Sequence, residues 1–288
     1  MEQQRLVEKH GALLGLPGLR AQFIRLGGTG PVTEALLAGS LHFASGGAPG
    51  ALLLWDRTRG AIKSAFAMNA TNQRLLTVGA ATSLRDLTPA DRIALPAVRT
   101  SPQAVYLQMA AAQTWGAAEF ARLDAQTISR AHPDGMAQML GRTEITCHFS
   151  STPFQDRALA LPGVREITSS YAILGTDRST PTTIYAQSRF RTENPIAWRA
   201  TLAAFDEATD WINRYPADAA ALYLQSSGEK DTAANVLATL TAPGTHFTLQ
   251  PAQVQKVANF MADTGTLKRR PEDLADLFFP EAVERGGS

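Results

Sequence analysis

The sequence is poor in cysteine, in net charge and in long apolar runs. Among its 288 residues there is one cysteine, Cys147, so neither an internal disulfide nor a cysteine-based metal site can form. A net charge of +1 does not favour nucleic acid or an anionic membrane as a partner. No segment approaches the ~20 apolar residues of a membrane-spanning helix. With 44% hydrophobic residues, the chain has the composition of a globular protein of one large or two modest domains.

The common catalytic signatures are also missing. The chain contains neither the GxSxG pattern of a nucleophile elbow nor the HExxH pattern of a zinc protease. The five histidines, which show no metal-ligand spacing, are His10, His42, His132, His148 and His246. The sequence therefore predicts no catalytic site, no metal site and no cofactor.

Short apolar segments alternate with helical segments, which predicts an α/β fold with mainly parallel sheets and helices on both faces. The predicted strands are residues 19–26, 41–45, 62–68, 91–97, 125–129, 145–147, 164–170 and 182–187. Beyond Asn194 the pattern is almost entirely helical. One α/β block is thus interrupted by a second, and Thr182–Gln187 returns the chain to the first. The chain would thus cross between the two blocks twice. The two connecting segments would form a hinge, and a ligand would be held between two lobes.

One serine and two glycines lie at the end of the strand that begins at Leu41 and precede a helix. They are Ser45, Gly46 and Gly47. Glycine lets a ligand approach the backbone, and the N–H groups at a helix start favour a negative ligand. The alternative is a tight strand-to-helix turn. A second glycine cluster (Gly27, Gly28 and Gly30) lacks the GxGxxG spacing and is interpreted as a turn.

Polar residues follow two strands of the second block. Ser101 precedes a long helix that includes Gln103, and the N–H groups of its first turn could hold a carboxylate or sulfonate, although simple capping also explains the serine. His148, Phe149, Ser150 and Ser151 form a loop that follows a buried strand and leads into a helix. Hydroxyl and imidazole groups there could bind a ligand. Two asparagines of another strand-end turn, Asn69 and Asn72, could line the same cleft or only form the turn.

Five segments, in this order, resemble the substrate-binding proteins of bacterial ABC importers. The similar group serves sulfonates, nitrate and taurine and includes binders of thiamine-pyrimidine precursors. The segments are LLAGSLHFASGGAP, DRIALPAVRTSPQAVYLQMAA, HPDGMAQMLGRTEITCHFSSTPFQ, YAQSRFRTENP and VANFMADTGTLKRRPEDLADLFFPE.

The resemblance implies a two-lobed, type II periplasmic-binding-protein fold with a ligand cleft between the lobes. Lobe one would comprise residues 1–92 and 189–288, and lobe two residues 93–188. Ligand-binding positions implied in this way are Ser45, Gly46, Gly47, Asn69, Ser101, Gln103, His148, Phe149, Ser150, Ser151 and Thr183.

A protein of this group captures a small, often anionic solute by hinge closure and delivers it to an ABC permease in the inner membrane. The resemblance further implies a monomer that is periplasmic or lipid-anchored. Such proteins carry a signal segment and a first strand ahead of the opening helix. Here Met1 stands where that strand should end, so we expect both to be missing from this chain.

Two other readings stay open at this stage. Thiamine-pyrimidine synthases share the fold, but they use a cysteine-rich motif and this chain has one cysteine. An effector-sensing domain of a transcription regulator would be joined to a helix-turn-helix segment, and none is visible. A sulfonate is the first expectation for the ligand, followed by an aromatic carboxylate or a pyrimidine. Arg99 is the nearest cation, so neutral donors would bind the ligand, with apolar contacts from Phe149 and Trp55.

Overall fold

The computed structural model describes residues 1–26, 29–228 and 230–288. Helices α1 to α14 span Leu6–Leu13, Thr29–Leu37, Ala48–Arg57, Pro102–Trp115, His132–Leu140, Phe154–Leu159, Ser170–Leu174, Ser188–Glu193, Pro195–Arg214, Pro216–Ser227, Ala233–Leu240, Val254–Asp263, Leu274–Leu277 and Pro280–Val283. Strands β1 to β10 span Phe43–Gly47, Ile62–Ala67, Ala70–Thr71, Arg74–Thr77, Ile93–Leu95, Thr127–Ser129, Cys147–Phe149, Arg165–Ser169, Thr182–Gln187 and Thr245–His246.

The strands form two main sheets and one short ladder. The first sheet has three strands in the order β1–β9–β2, and β9 is antiparallel to both neighbours. The second sheet has five strands in the order β6–β5–β7–β4–β8. Its strands β6, β5 and β7 are parallel, whereas β4 runs antiparallel between β7 and β8. The two-stranded ladder pairs β3 with β10 and so joins the segment between the sheets to the C-terminal third of the chain.

The central strands of the five-stranded sheet are continuous apolar runs. Every residue of Ile93–Leu95 and of Cys147–Phe149 is buried. Strands covered on both faces need this pattern, because neither side chain of the pleat reaches water. The largest core cluster packs these strands against α4 and α12. A smaller cluster around Trp198 and Phe66 covers the three-stranded sheet.

Helix α4 shows how local sequence signals position the future site. Ser101 caps it, with its Oγ accepting a hydrogen bond from the Ala104 N–H at 3.2 Å, and Pro102 occupies the first turn. Both features are typical of a helix start. The helix ends at Gly116, whose φ of 104° is in the region that favours glycine.

The predicted α/β class is confirmed, and most helices and strands lie where the pattern placed them. The pairing is mixed, so the expectation of mainly parallel sheets is wrong for the three-stranded sheet. The predicted strand at residues 19–26 is also wrong, because residues 20–26 form no regular structure. In the predicted glycine turn, Gly30 lies within α2, while Gly27 and Gly28 lie outside the described residues.

The lobe limits at residues 92 and 189 stay predictions. Strand β4 was not predicted, and it belongs to the five-stranded sheet although it precedes residue 92. Strand β9 holds the central place in the three-stranded sheet. Among the described residues, no helix combines the length and apolar character that crossing a bilayer requires.

Candidate functional site

A cleft of about 490 Å³ is lined by residues from the ends of both main sheets. Its lining residues are Gly47, Gly50, Asn69, Thr71, Gln73, Pro96, Ala97, Thr100, Ser101, Pro102, Gln103, His132, Ser151, Thr152, Pro181, Thr182, Thr239, Leu240, Thr245 and Phe247. Hydroxyl and amide side chains dominate the polar part of this set. None of these lining residues is Asp, Glu, Lys or Arg.

Three helix starts meet at the cleft. Gly47 precedes α3, Ser101 precedes α4, and His132 is the first residue of α5. The first N–H groups of a helix have no partner within the helix and carry a partial positive charge. The Ala48 N–H of α3 already donates to the Pro181 carbonyl at 2.8 Å, and the Ala104 N–H of α4 donates to the Ser101 Oγ. The positive ends of the helix dipoles, with the remaining N–H groups, would still favour an anion in the cleft.

The glycines ahead of α3 are explained by packing within the protein. A Cβ at Gly46 would lie 2.8 Å from the Tyr185 Oη, and a Cβ at Gly47 would lie 2.8 Å from the Pro102 Cδ. Both separations are too short for a real contact. Gly46 therefore makes room for a buried tyrosine, whereas Gly47 lets the starts of α3 and α4 come close together at the cleft.

Two buried glutamines face the cleft with unused hydrogen-bonding capacity. Gln73 is 4% exposed and Gln103 is 2% exposed, and both line the cleft. Within the described part of the chain, the Oε1 of each has no hydrogen-bond partner, and the same holds for the Oδ1 of cleft-lining Asn69. A buried amide atom without a partner is destabilising by about 1–3 kcal/mol unless a ligand or water satisfies it. Three such atoms belong to residues that line the cleft, where a ligand or water could satisfy them.

A pair of histidines continues the cleft wall inward. The Nδ1 of His132 lies 3.1 Å from the Nε2 of His148, and the Nε2 of His132 lies 3.3 Å from the Nε2 of Gln103. Burial lowers the pKa of His132 to about 4. Burial, and then the neighbouring His132, lower the pKa of His148 to about 3. Both rings are therefore neutral near pH 7, and the cleft carries no imidazolium charge.

Five of the eleven predicted ligand-binding residues line the cleft. They are Gly47, Asn69, Ser101, Gln103 and Ser151. Their common feature is a position at a strand end or helix start. The same rule would also have selected His132, which sequence reasoning treated only as one of five scattered histidines.

The other six predicted residues are absent from the cleft lining. His148 is fully buried and is hydrogen-bonded to His132, which lines the cleft. Phe149 is fully buried in the main core cluster, and Trp55, also proposed to contact a ligand, is buried there too. These aromatic side chains pack the protein interior.

Four small residues complete this group. Ser45 is exposed, with its Oγ 3.4 Å from the Met68 Sδ, and Gly46 packs against a tyrosine as described above. Ser150 is fully buried. Thr183 is also buried, and its Oγ1 accepts a hydrogen bond from the Ser64 Oγ at 3.2 Å. Their ligand-binding role remains a sequence prediction.

The cleft also includes residues that sequence reasoning missed. Thr71 and Gln73 belong to the segment that joins the two sheets, which the sequence showed only as a polar turn. Thr239, Thr245 and Phe247 come from the helical C-terminal third. No local signal marks these three, because tertiary packing alone brings that part of the chain to the cleft.

Asn72, which was expected to line the cleft or form the turn, has a structural role. Its Oδ1 accepts hydrogen bonds from the Ser170 Oγ at 3.2 Å and from the Tyr171 N–H at 3.1 Å. No group of three His, Cys, Asp or Glu side chains that could hold a metal ion occurs in the part of the chain that the structure describes.

Comparison with known proteins gives structural matches only. No protein-family model matches the chain, and no curated protein matches it. The alkanesulfonate-binding protein SsuA from Xanthomonas axonopodis pv. citri, solved bound to MOPS, aligns with a TM-score of 0.72 and 18% identity over 93% of this chain and 89% of that chain. The periplasmic aliphatic sulphonate-binding protein SsuA from Escherichia coli aligns with a TM-score of 0.68 and 17% identity over 95% and 87%.

A fungal protein is also similar. The CA3427 gene product of Candida albicans, described as having the generic periplasmic binding protein structural fold, aligns with a TM-score of 0.63 and 11% identity over 100% of this chain and 90% of that chain. The shared architecture at these low identities shows the fold and not the ligand. The chain therefore has the two-lobed α/β periplasmic-binding-protein fold.

Proposed function

We propose that this protein is the solute-binding component of an ABC importer and captures a small organic anion, with a sulfonate as the first choice. The observation that carries the proposal is the uncharged cleft at which the starts of α3, α4 and α5 meet. Helix N–H groups, hydroxyls and amides can bind an anion without a formal positive charge. The solved structures of similar fold include two sulfonate-binding proteins, which supports this choice.

The chemistry of the cleft favours binding over reaction. Its hydroxyls and amides are neutral hydrogen-bonding groups, and its one titratable side chain, His132, is held neutral by burial. Phe247 supplies an aromatic face for the organic part of the ligand. The proposed role needs an ABC permease in the inner membrane as partner and a periplasmic or membrane-anchored location.

A thermal-shift screen of sulfonates, nitrate, carboxylates and pyrimidines tests the ligand class. A ligand that binds only the folded state raises the melting temperature by mass action, by an amount that grows with concentration. We expect the largest rise with an alkanesulfonate. A rise with pyrimidines alone would contradict the proposed anionic ligand and favour a binder of thiamine-pyrimidine precursors.

Two serine caps provide a matched pair of variants. Ser101 caps α4 at the cleft, whereas Ser169 caps α7 away from it, with its Oγ accepting from the Ala172 N–H at 3.4 Å. Losing a cap destabilises a protein by about 1 kcal/mol, so both Ser101→Ala and Ser169→Ala should lower the melting temperature. Only Ser101→Ala should also lose the response to ligand. An equal response in both variants would contradict a site at the start of α4.

Hinge closure is tested separately by small-angle X-ray scattering. We propose that the lobes move about the segments that connect the two sheets, near residues 72–73 and 176–181. Saturating ligand should then reduce the radius of gyration. An unchanged radius with proven binding would show that the cleft is preformed.

A further inference from the structure

Two buried side chains, Gln103 and His148, and the partly buried His132 form a hydrogen-bonded chain that ends at the cleft. Gln103 and His132 line the cleft, and His148 lies behind them in β7, fully buried. The Gln103 amide contacts one nitrogen of the His132 ring at 3.3 Å, and the other nitrogen of that ring contacts His148 at 3.1 Å. Both contacts lie between nitrogen atoms. Which atom donates therefore depends on the tautomers of the two histidines and on the orientation of the Gln103 amide.

A neutral imidazole has one N–H and one bare nitrogen, so the proton positions along this chain are linked. If His148 donates from Nε2 to the Nδ1 of His132, then His132 carries its own proton on Nε2 and donates it to Gln103. Gln103 must then present its oxygen to His132 and its NH₂ group to the cleft. If every proton runs the other way, Gln103 donates to His132 and presents its oxygen to the cleft.

The inner end of the chain favours the first arrangement. The Nδ1 of His148 is buried and has no hydrogen-bond partner among the described residues. In the first arrangement this atom is a bare acceptor, whereas in the second it is an N–H donor without an acceptor. Buried donors without partners are the rarer and more costly defect, and no ligand can reach the fully buried His148 to satisfy one. At the outer end, the Gln103 amide atom turned away from His132 also has no partner among the described residues, but a ligand or water in the cleft would satisfy it in either arrangement. The His148 ring is also held in place, because a Cβ on Gly135 would lie 3.1 Å from its Nε2.

We propose that His148 and His132 fix the Gln103 amide with its NH₂ group toward the cleft, so that Gln103 is a donor that selects ligands with acceptor oxygens. In this orientation the amide oxygen, rather than Nε2, lies beside His132. The oxygen and nitrogen of an amide are told apart by their hydrogen-bond partners, so the network decides between the two orientations. The choice of an anionic ligand rests on the proposed function. The proton positions on the two rings do not.

The first experiment measures the tautomers directly. Two-bond ¹H–¹⁵N spectra of the ligand-free protein, labelled at histidine, report which ring nitrogen carries the proton. His132→Asn and His148→Gln variants assign the signals. We expect both His132 and His148 to be protonated on Nε2. Protonation of both rings on Nδ1 would overturn the proposal.

The second experiment uses two probes that differ in their head group, butanesulfonate and butylamine. Gln103→Met removes the donor, and Gln103→Glu replaces it with a negative acceptor. We expect about tenfold weaker butanesulfonate binding for the first variant and at least about a hundredfold for the second, measured by calorimetry. Butylamine should not bind the wild-type protein. Unchanged sulfonate affinity in Gln103→Met would also overturn the proposal.

Gln113 provides the matched control. It lies on the same helix, and its Nε2 donates to the Ile173 carbonyl at 2.8 Å, away from the cleft lining. Gln113→Met and Gln113→Glu should leave sulfonate affinity unchanged. If the wild-type protein binds no sulfonate although both rings are protonated on Nε2, the proposed ligand class fails while the tautomer assignment holds.

Discussion

The central strands of the five-stranded sheet and the edge strand β1 of the three-stranded sheet reach different degrees of burial. The five-stranded sheet has fully buried central strands, and Leu75, Ile93 and Phe149 are 0% exposed. The three-stranded sheet has β1 at an edge, where only Ala44 is buried. Near it in sequence, residues 20–26 have a strand-like composition but form no regular structure, and Phe23 and Ile24 are 43% and 49% exposed.

The difference shows that strand propensity acts only where a neighbouring strand is available. A strand gains stability from hydrogen bonds to its neighbour and from cross-strand side-chain packing, and its intrinsic preference is weak. Ile93–Leu95 has partners on both sides, whereas residues 20–26 pair with no strand among the described residues. The five-stranded sheet packs against the largest core cluster, and it also positions His148 behind the cleft.

The largest test of this comparison replaces one phenylalanine in each region. Phe149→Ala removes a fully buried ring from the five-stranded sheet and should lower the free energy of unfolding by about 3–5 kcal/mol. Phe23→Ala removes a half-exposed ring and should change it by less than about 0.5 kcal/mol. Urea denaturation at pH 7 measures both. Similar losses would show that the N-terminal segment packs more tightly than the structure indicates.

A second test uses the pH dependence of His132, a partly buried histidine in the wall of the cleft. The folded-state pKa of His132 is about 4, below the ordinary value of 6.5, so the unfolded chain binds a proton before the folded protein does. Stability should therefore fall as the pH decreases from 6.5 toward 4. By linkage, this one group should reduce the free energy of unfolding by about 2 kcal/mol between pH 7 and pH 5.

The His132→Asn variant should lose that part of the pH dependence, as followed by urea denaturation at both pH values. His42, which precedes the three-stranded sheet and is exposed, provides the control. His42→Gln should keep the wild-type dependence. If His132→Asn also kept it, His132 would be charged or accessible in the folded protein.

The third and smallest test sharpens the packing of the three-stranded sheet. Gly46→Ala places a methyl group against the Tyr185 Oη and should destabilise the protein by about 1–2 kcal/mol. Removing that oxygen with Tyr185→Phe in the same chain should recover much of the loss, because the clash is with the hydroxyl. Ser45→Ala, at an exposed neighbour, should be neutral. No recovery in the double variant would point to a backbone effect at Gly46.

Sequence patterns predicted the features that depend on local interactions and missed those that depend on contacts between distant segments. Helix α4 was correctly predicted to follow Ser101, because its cap and first-turn proline are local signals. Strand β4 was missed, because Arg74–Thr77 is short and is stabilised by pairing with β7 and β8 from distant parts of the chain. Ser101 and Gln103, at the start of α4, line the cleft as that local signal suggested, whereas Phe149 lies in the core because burial of a strand end depends on packing.

By itself, the sequence determined the α/β class, most of the strand positions, the long helix after Ser101 and the polar strand ends that include Gly47, Ser101 and Ser151. These features depend on periodicity, capping and turn residues, which act over a few neighbours. Only the tertiary structure decided which strands pair, which aromatic rings are buried, and that Gln103 is joined through His132 to His148. Those outcomes depend on contacts between segments that are distant in sequence, and a local pattern of residues carries no information on which distant segments meet.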